Sequence, residues 1–275
     1  MKVKAIWDLL RLEHGIMYGI AVVIGIIISG CPNLKIALLG FLTALFCQAS
    51  SFSLNDYLDY EVDLANKRFD RPLVRGDLKR EHALYLALIL SPFGFLFAYL
   101  ISLKAFLFVL GITILGYIYD IKLKETGLIG NFYIAFTMSA PFLFGGIISC
   151  GINVQIAVLS LLAFLSGLGR EIMKGIEDVV GDSLRNVKSV ARVKGIDFAY
   201  KLSAFLILTA VLLSPLPIIH YKLDPFYIIP VAIADTLFIL TVLKLLRHEN
   251  VGRLRKTTLF AMLFGLLGFL LGAII

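Results

Sequence analysis

The chain has 275 residues, of which 59% are hydrophobic and only 16% charged, with a formal net charge of +7 and a mean hydropathy of +0.91. A soluble globular domain carries more charge and fewer long apolar runs, so the composition excludes one. It also excludes a nucleic-acid surface as the meaning of the positive charge, because Lys and Arg lie between apolar runs and not on one soluble basic face.

Nine apolar runs of membrane-spanning length follow in chain order, at about 15–30, 36–54, 83–101, 105–119, 131–150, 154–169, 202–220, 226–243 and 257–275. The shorter ones are expected to continue as helix into their polar flanks. If the odd-numbered spans run outward, 23 of the 26 Lys and Arg residues fall on the inner side, leaving Lys35, Lys104 and Lys222 outside. The positive-inside rule then sets the N-terminus in the cytoplasm and the C-terminus outside, as expected for a multi-pass protein of the cell membrane. The basic inner face also suits anionic lipids and anionic substrates.

Before the first span, Asp8 and Glu13 argue against a cleaved signal peptide. Ile28-Ser29-Gly30-Cys31 has the form of a lipoprotein box, but the run before it serves equally well as the first span. No metal or disulfide spacing appears among the cysteines, and the other two, Cys47 and Cys150, read as small buried apolar residues.

The second span ends in Asn55-Asp56-Tyr57-Leu58-Asp59-Tyr60-Glu61-Val62-Asp63. Asp59 and Asp63 are four apart and share a helix face, with Asp56 one turn before. Such a cluster can be a solvated helix end whose acids pair with Lys67, Arg68 and Arg71. Yet several acids directly after a span repel one another unless a cation is present. Hard divalent cations prefer oxygen ligands, so Asp56, Asp59 and Asp63 are candidate metal ligands and Asn55 offers an amide oxygen. Lys67, Arg68, Arg71 and Arg75, just beyond, are candidate phosphate contacts, since Arg in particular matches phosphate oxygens.

The fourth span ends in Tyr117-Ile118-Tyr119-Asp120-Ile121-Lys122-Leu123-Lys124. Tyr119 with Lys122 or Lys124 fits a phosphate or diphosphate contact, and equally an aromatic belt residue with snorkelling lysines. The sixth span ends in Arg170, Glu171, Lys174, Glu177, Asp178 and Asp182. Arg170, Lys174, Asp178 and Asp182 fall on one helical stripe. An intrahelical ladder of such pairs contributes only about 0.3–0.5 kcal/mol each, so Asp178 and Asp182 read as a second pair of metal ligands, with Arg170 and Lys174 beside the substrate. Asp235 is the one acid well inside a span, and its role stays open.

Asp59 and Asp178 stand 119 residues apart, each after an even-numbered span. The spacing predicts two pseudo-repeated four-helix units plus one helix, an all-α membrane fold with both motifs entering one central cavity from the same side. Facing carboxylate pairs at a membrane surface suggest a phosphorylated lipid as substrate. Two other membrane classes compare less well. A CDP-alcohol phosphotransferase needs a D-G-x-x-A-R run, whereas Asp63 is followed by Leu64-Ala65-Asn66. A cation-coupled transporter wants charges near the midplane, where only Asp235 stands.

The N-D-x-x-D-x-x-x-D form of Asn55–Asp63, the Arg71-Pro72 after it, the Tyr119/Lys122 region and the D-x-x-x-D of Asp178–Asp182 together resemble the UbiA superfamily of intramembrane prenyltransferases, over nearly the whole chain as one domain of residues 1–275. Leu12-Glu13-His14-Gly15, the run from Lys124 to Asn131, and Gly169-Arg170-Glu171-Ile172 are similar to its archaeal digeranylgeranylglyceryl phosphate synthases. Relatives often carry a further Asp where this chain has Gly175, so the second motif has one ligand fewer. The resemblance implies Mg²⁺-dependent transfer of a geranylgeranyl group from its diphosphate to geranylgeranylglyceryl phosphate in ether-lipid biosynthesis. Aromatic acceptors, as in quinone synthesis, are the alternative. The implied roles are metal ligation by Asp56, Asp59, Asp63, Asp178 and Asp182, and substrate contact by Asn55, Lys67, Arg68, Arg71, Tyr119, Lys122, Lys124, Arg170 and Lys174. The implied partners are an isoprenyl diphosphate, a lipid-phosphate acceptor and membrane lipids.

Overall fold

The computed structural model of the chain describes residues 2–179, 187–219 and 224–274. Among these, every regular element is helical. The long helices are α1 (Lys2–Leu10), α2 (Leu12–Ile28), α3 (Leu34–Ala65), α4 (Arg80–Ile101), α5 (Leu103–Ile121), α6 (Leu128–Ile147), α7 (Val154–Glu177), α8 (Ile196–Leu213), α9 (Ile228–Leu246) and α10 (Val251–Ile274). Helices α3 to α10 are long and apolar enough to cross a membrane; α1 and α2, taken as one span bent by 50°, make nine. The bend falls at Arg11, whose φ of 45° and ψ of 53° are left-handed, an uncommon conformation for a residue with a Cβ. Each of the nine apolar runs overlaps one of these helices.

Three side-chain caps stand together at one end of the molecule, here the capped end. Asn33, Ser102 and Asn153 accept hydrogen bonds from the backbone N–H groups of Ile36, Ala105 and Ile156 and so start α3, α5 and α7. At the other end, α3 continues for 32 residues to Ala65, roughly 48 Å at 1.5 Å per residue. That exceeds the ~30 Å hydrocarbon core of a bilayer, so the acidic motif rides on the last three turns of the helix itself. Helix α7 likewise runs to Glu177, with Asp178 as its C-cap. We call this the acidic end.

The helices form a closed ring, each packing on its neighbours, with α10 returning to α2. Helices α2 and α6 cross closely. A Cβ on Gly25 would lie 2.3 Å from the Phe142 carbonyl oxygen, and one on Gly145 would lie 2.2 Å from the Val22 oxygen. Glycine lets two membrane helices approach backbone to backbone. Beyond this crossing, at the capped end, Cys31 and Cys150 form a disulfide with Cα atoms 5.7 Å apart. This corrects the expectation that the cysteines stay unpaired; only Cys47 is free. Spacing along the chain carries no signal for it, because the pairing arises where the ends of two helices meet. The bond spans 119 residues, the same offset as Asp59 to Asp178, and Gly25 meets Gly145 at an offset of one more. Equivalent positions of the two halves therefore touch at the α2–α6 contact, as they must where a pseudo-two-fold axis runs between two repeats.

Cys31→Ser is expected to lower stability by about 2–4 kcal/mol through loss of this long-loop cross-link, read as a fall in Tm in detergent. Wild-type protein treated with reductant should reproduce it.

Candidate active site

A cavity of ≈ 890 Å³ opens among the helices. At the acidic end it is lined by Asn55, Asp59 and Asp63 from α3, Arg68, Asp70 and Arg71 from the connection after it, Tyr119 and Asp120 from α5, Lys124 after α5, and Arg170, Lys174, Glu177 and Asp178 from the end of α7. The two acidic motifs thus face one space, as the repeat predicted.

Asp59 receives a hydrogen bond from Lys124 Nζ at 2.6 Å and one from Asn55 Nδ2 at 3.2 Å. The same Asn55 amide donates to Asp120 at 2.9 Å, tying α3 to α5. The Arg68 guanidinium donates twice to Asp70, both at 2.9 Å, and holds that carboxyl below its usual range. Arg68 also lies within electrostatic reach of Asp63 and of Asp178, so one cation bridges the fields of both motifs. Tyr119 stacks on Tyr133 at 5.2 Å between centroids, forming an aromatic wall.

Four predicted residues stand elsewhere. Asp56 is 1% exposed and does not line the cavity. Its carboxylate is held by Arg11 at 2.7 Å and Arg71 at 2.8 Å. Asp56 sits seven residues before Asp63, roughly 10 Å further into the bundle, where a carboxylate needs charge compensation from the protein. Arg71 also reaches Asp63, at 3.8 Å. Lys67, Arg75 and Lys122 are exposed and line no part of the cavity, and Arg75 pairs with Asp8 at 2.9 Å and Asp77 at 2.7 Å instead. Lys122 caps the end of α5, and the 3₁₀ turn Leu123–Thr126 that follows brings Lys124 inward instead. Asp182 lies outside the described residues. Gly175 lines the cavity against Ser189, whose Cβ would be 3.3 Å from an added one.

The sequence reading missed Arg11, Asp120 and Arg255. Arg11 and Arg255 looked like topology charges, yet both line the cavity, and Arg255 pairs with Glu177. No local spacing marks either one. Asp120 was visible beside Tyr119, and its partner Asn55 is 65 residues away.

Among the described residues, no three His, Cys, Asp or Glu side chains converge as an all-protein metal cage would require. Mg²⁺ is usually held by one or two carboxylates, waters and substrate phosphates, and dispenses with such a cage. Asp59, Asp63 and Asp178 are hard oxygen donors on one cavity, so this donor set fits that ion.

The model of the UbiA prenyltransferase family matches residues 17–274. The chain belongs to the UbiA prenyltransferase family. A digeranylgeranylglyceryl phosphate synthase of Archaeoglobus fulgidus is 55% identical, over 98% of this chain and 95% of that protein. A solved structure of a digeranylgeranylglyceryl phosphate synthase is 34% identical, with a TM-score of 0.74 over 99% of each chain. A UbiA homologue from Archaeoglobus fulgidus, solved with DMAPP and Mg²⁺, shares the fold at 21% identity, with a TM-score of 0.66 over 98% of this chain and 99% of that one.

One backbone contact joins two loops of this UbiA site. The Lys188 N–H donates to the Glu125 oxygen at 2.9 Å, and Gly127, with φ +69°, would place a Cβ 1.7 Å from the Lys188 oxygen. Gly127→Ala is expected to push residues 187–189 away from the turn that carries Lys124. Displacing a positioning element by about 1 Å can cost roughly a hundred-fold in rate, so kcat should fall by that order while the helical circular-dichroism signal is kept.

Proposed function

We propose that this chain transfers a geranylgeranyl group from geranylgeranyl diphosphate to geranylgeranylglyceryl phosphate, giving digeranylgeranylglyceryl phosphate. The observation that carries the reading is 55% identity across 98% of the chain to a synthase of that product. The cavity supports it chemically, with an acid- and base-rich mouth opening into an apolar interior.

In this reading Asp59, Asp63 and Asp178 of the cavity mouth would hold Mg²⁺, together with Asp182 of the second motif. The ion supplies charge neutralisation as the C1–O bond of the prenyl diphosphate breaks. Arg68, Lys124 and Lys174 meet the outer phosphate oxygens, and Asn55 fixes the orientation of Asp59. The Tyr119 and Tyr133 faces line the space below, where π-electron density stabilises positive charge on the allylic carbon. The surrounding helices keep water away from that carbon until the acceptor hydroxyl attacks it, the diphosphate leaving with the C1–O electron pair and taking up the hydroxyl proton.

The acidic end faces the cytoplasm in this proposal. Two independent features support that orientation. The Lys and Arg residues concentrate at the acidic end. The Cys31–Cys150 disulfide lies at the other end, and disulfides persist on the oxidising side of a membrane.

The test is a product assay with detergent-purified protein, geranylgeranyl diphosphate, Mg²⁺ and either geranylgeranylglyceryl phosphate or an aromatic acid. A doubly prenylated glycerol phosphate that vanishes in excess chelator is the expected result. Prenylation of the aromatic acid alone would replace the acceptor, and full turnover in chelator would remove the metal from the mechanism.

A further inference from the structure

Arg170 and Glu171 line the cavity from α7. Arg170 stands eight residues before Asp178, roughly 12 Å further into the bundle at 1.5 Å per residue. Glu171 falls within electrostatic reach of Tyr119, and Arg170 within reach of Tyr18 on α2. The pair thus sits at the level of the aromatic wall, below the carboxylates of the mouth.

Arg170 is a poorly compensated cation. Its ion pair is with Glu171, from Nη1 at 3.4 Å, and its Nε has no hydrogen-bond partner. Residues adjacent in a helix do not face each other, so Glu171 cannot close around the guanidinium. Asp56, at a like depth on α3, shows what full compensation looks like, with two guanidiniums at 2.7 and 2.8 Å. A charge taken out of water needs close geometry and further hydrogen bonds to offset its desolvation. The neighbours of Arg170 add positive charge or polar nitrogen instead. Arg255 of α10 and His14 of α2 line the same cavity within its electrostatic reach, and Arg255 is already paired with Glu177. The ligand that satisfies such a group is an anion with several oxygens, which a guanidinium fork matches.

We propose that Arg170 binds the phosphate of the acceptor lipid, in a subsite separate from the donor's diphosphate. The proposal rests on the prenyl-transfer reading. The acceptor carries its phosphate on the carbon next to the one that bears the attacking hydroxyl. Holding that phosphate at Arg170 therefore holds the hydroxyl near the level of Tyr119, where the allylic carbon lies in the proposed reaction. The two anionic lipids are then told apart by what meets their phosphates. The donor is held by metal and by the cations of the mouth, and the acceptor by a guanidinium deeper in the bundle.

The test compares geranylgeranylglyceryl phosphate with its dephosphorylated form, by thermal stabilisation of the detergent-purified protein and by KM. The wild type should prefer the phosphorylated acceptor. Arg170→Gln should shrink that preference roughly ten- to hundred-fold, the scale of a lost hydrogen-bonded charge contact. The KM for geranylgeranyl diphosphate should stay within about three-fold. Arg170→Lys keeps the charge without the fork and should recover part of the preference. Removing Arg170 alone leaves Glu171 buried without its partner, so the double variant Arg170→Gln/Glu171→Gln covers the case in which the single one does not fold. A merely structural arginine would change Tm without changing the preference for phosphate. If the wild type binds the phosphorylated acceptor through Arg170 but transfers no prenyl group, the prenyl-transfer reading falls and the subsite stands. A phosphate preference that survives in folded Arg170→Gln or in the double variant would overturn the subsite. So would a rise in the donor's KM as large as the acceptor's, which would assign Arg170 to the diphosphate.

Discussion

Alanine at Asp59 or at Asp178 is expected to lower kcat/KM for prenyl transfer by roughly a thousand-fold, the scale of several kcal/mol of charge stabilisation lost from the transition state. The two residues come from different helices and line one cavity mouth. Removing either one takes away a hard donor from the place where negative charge builds up on the departing diphosphate. Each variant should keep its Tm, because both side chains lie beside the cavity and are only half-buried. Lys124→Ala is a graded control. Lys124 contacts Asp59 at 2.6 Å, so its loss should cost roughly ten- to hundred-fold, as for groups that orient a ligand. Steady-state rates with a Mg²⁺ titration separate the cases. If Asp59→Ala stays within about ten-fold of wild type, the α3 motif does not hold the metal.

The helices were legible because membrane-spanning apolar runs are long and the flanking charges are concentrated. All nine predicted runs overlap helices of the structure. The two acidic motifs were legible because their i, i+4 carboxylates repeat at one offset, which places Asp59 and Asp178 on one cavity. What the sequence concealed is how far along a helix each charge sits and what meets it in space. Asp56, Asp59 and Asp63 look alike on paper, yet α3 continues as one helix through all three, and the first is carried back into the bundle. Lys122 and Lys124 differ by two residues, and a 3₁₀ turn decides which one faces inward. Arg11 belongs to the site only because the chain bends by 50° there. The Cys31–Cys150 bond depends on a helix crossing made by Gly25 and Gly145, and neither glycine carries a local signal for it.

Asp56 separates bracing from ligation. Its carboxylate is 1% exposed and receives two guanidinium contacts, from Arg11 at the bend before α2 and from Arg71 in the connection after α3. The carboxylate thus fastens the chain on either side of the mouth to α3. Breaking a buried ion pair by removing one partner costs about 3–5 kcal/mol, because the remaining charge stays buried without compensation. Asp56→Asn leaves two guanidiniums facing a neutral amide, and Arg71→Ala leaves Asp56 with Arg11 alone. Both variants are expected to lower Tm in detergent by roughly 6–20 °C, at about 2–4 °C per kcal/mol for a chain of this size. Their loss of activity should follow their loss of folded protein. The Mg²⁺ concentration for half-maximal rate should stay at the wild-type value in Asp56→Asn and rise in Asp59→Asn, because only the second side chain lines the cavity. A raised Mg²⁺ requirement in Asp56→Asn, with Tm unchanged, would return Asp56 to the ligand set and make the two arginine contacts a resting arrangement that the metal displaces.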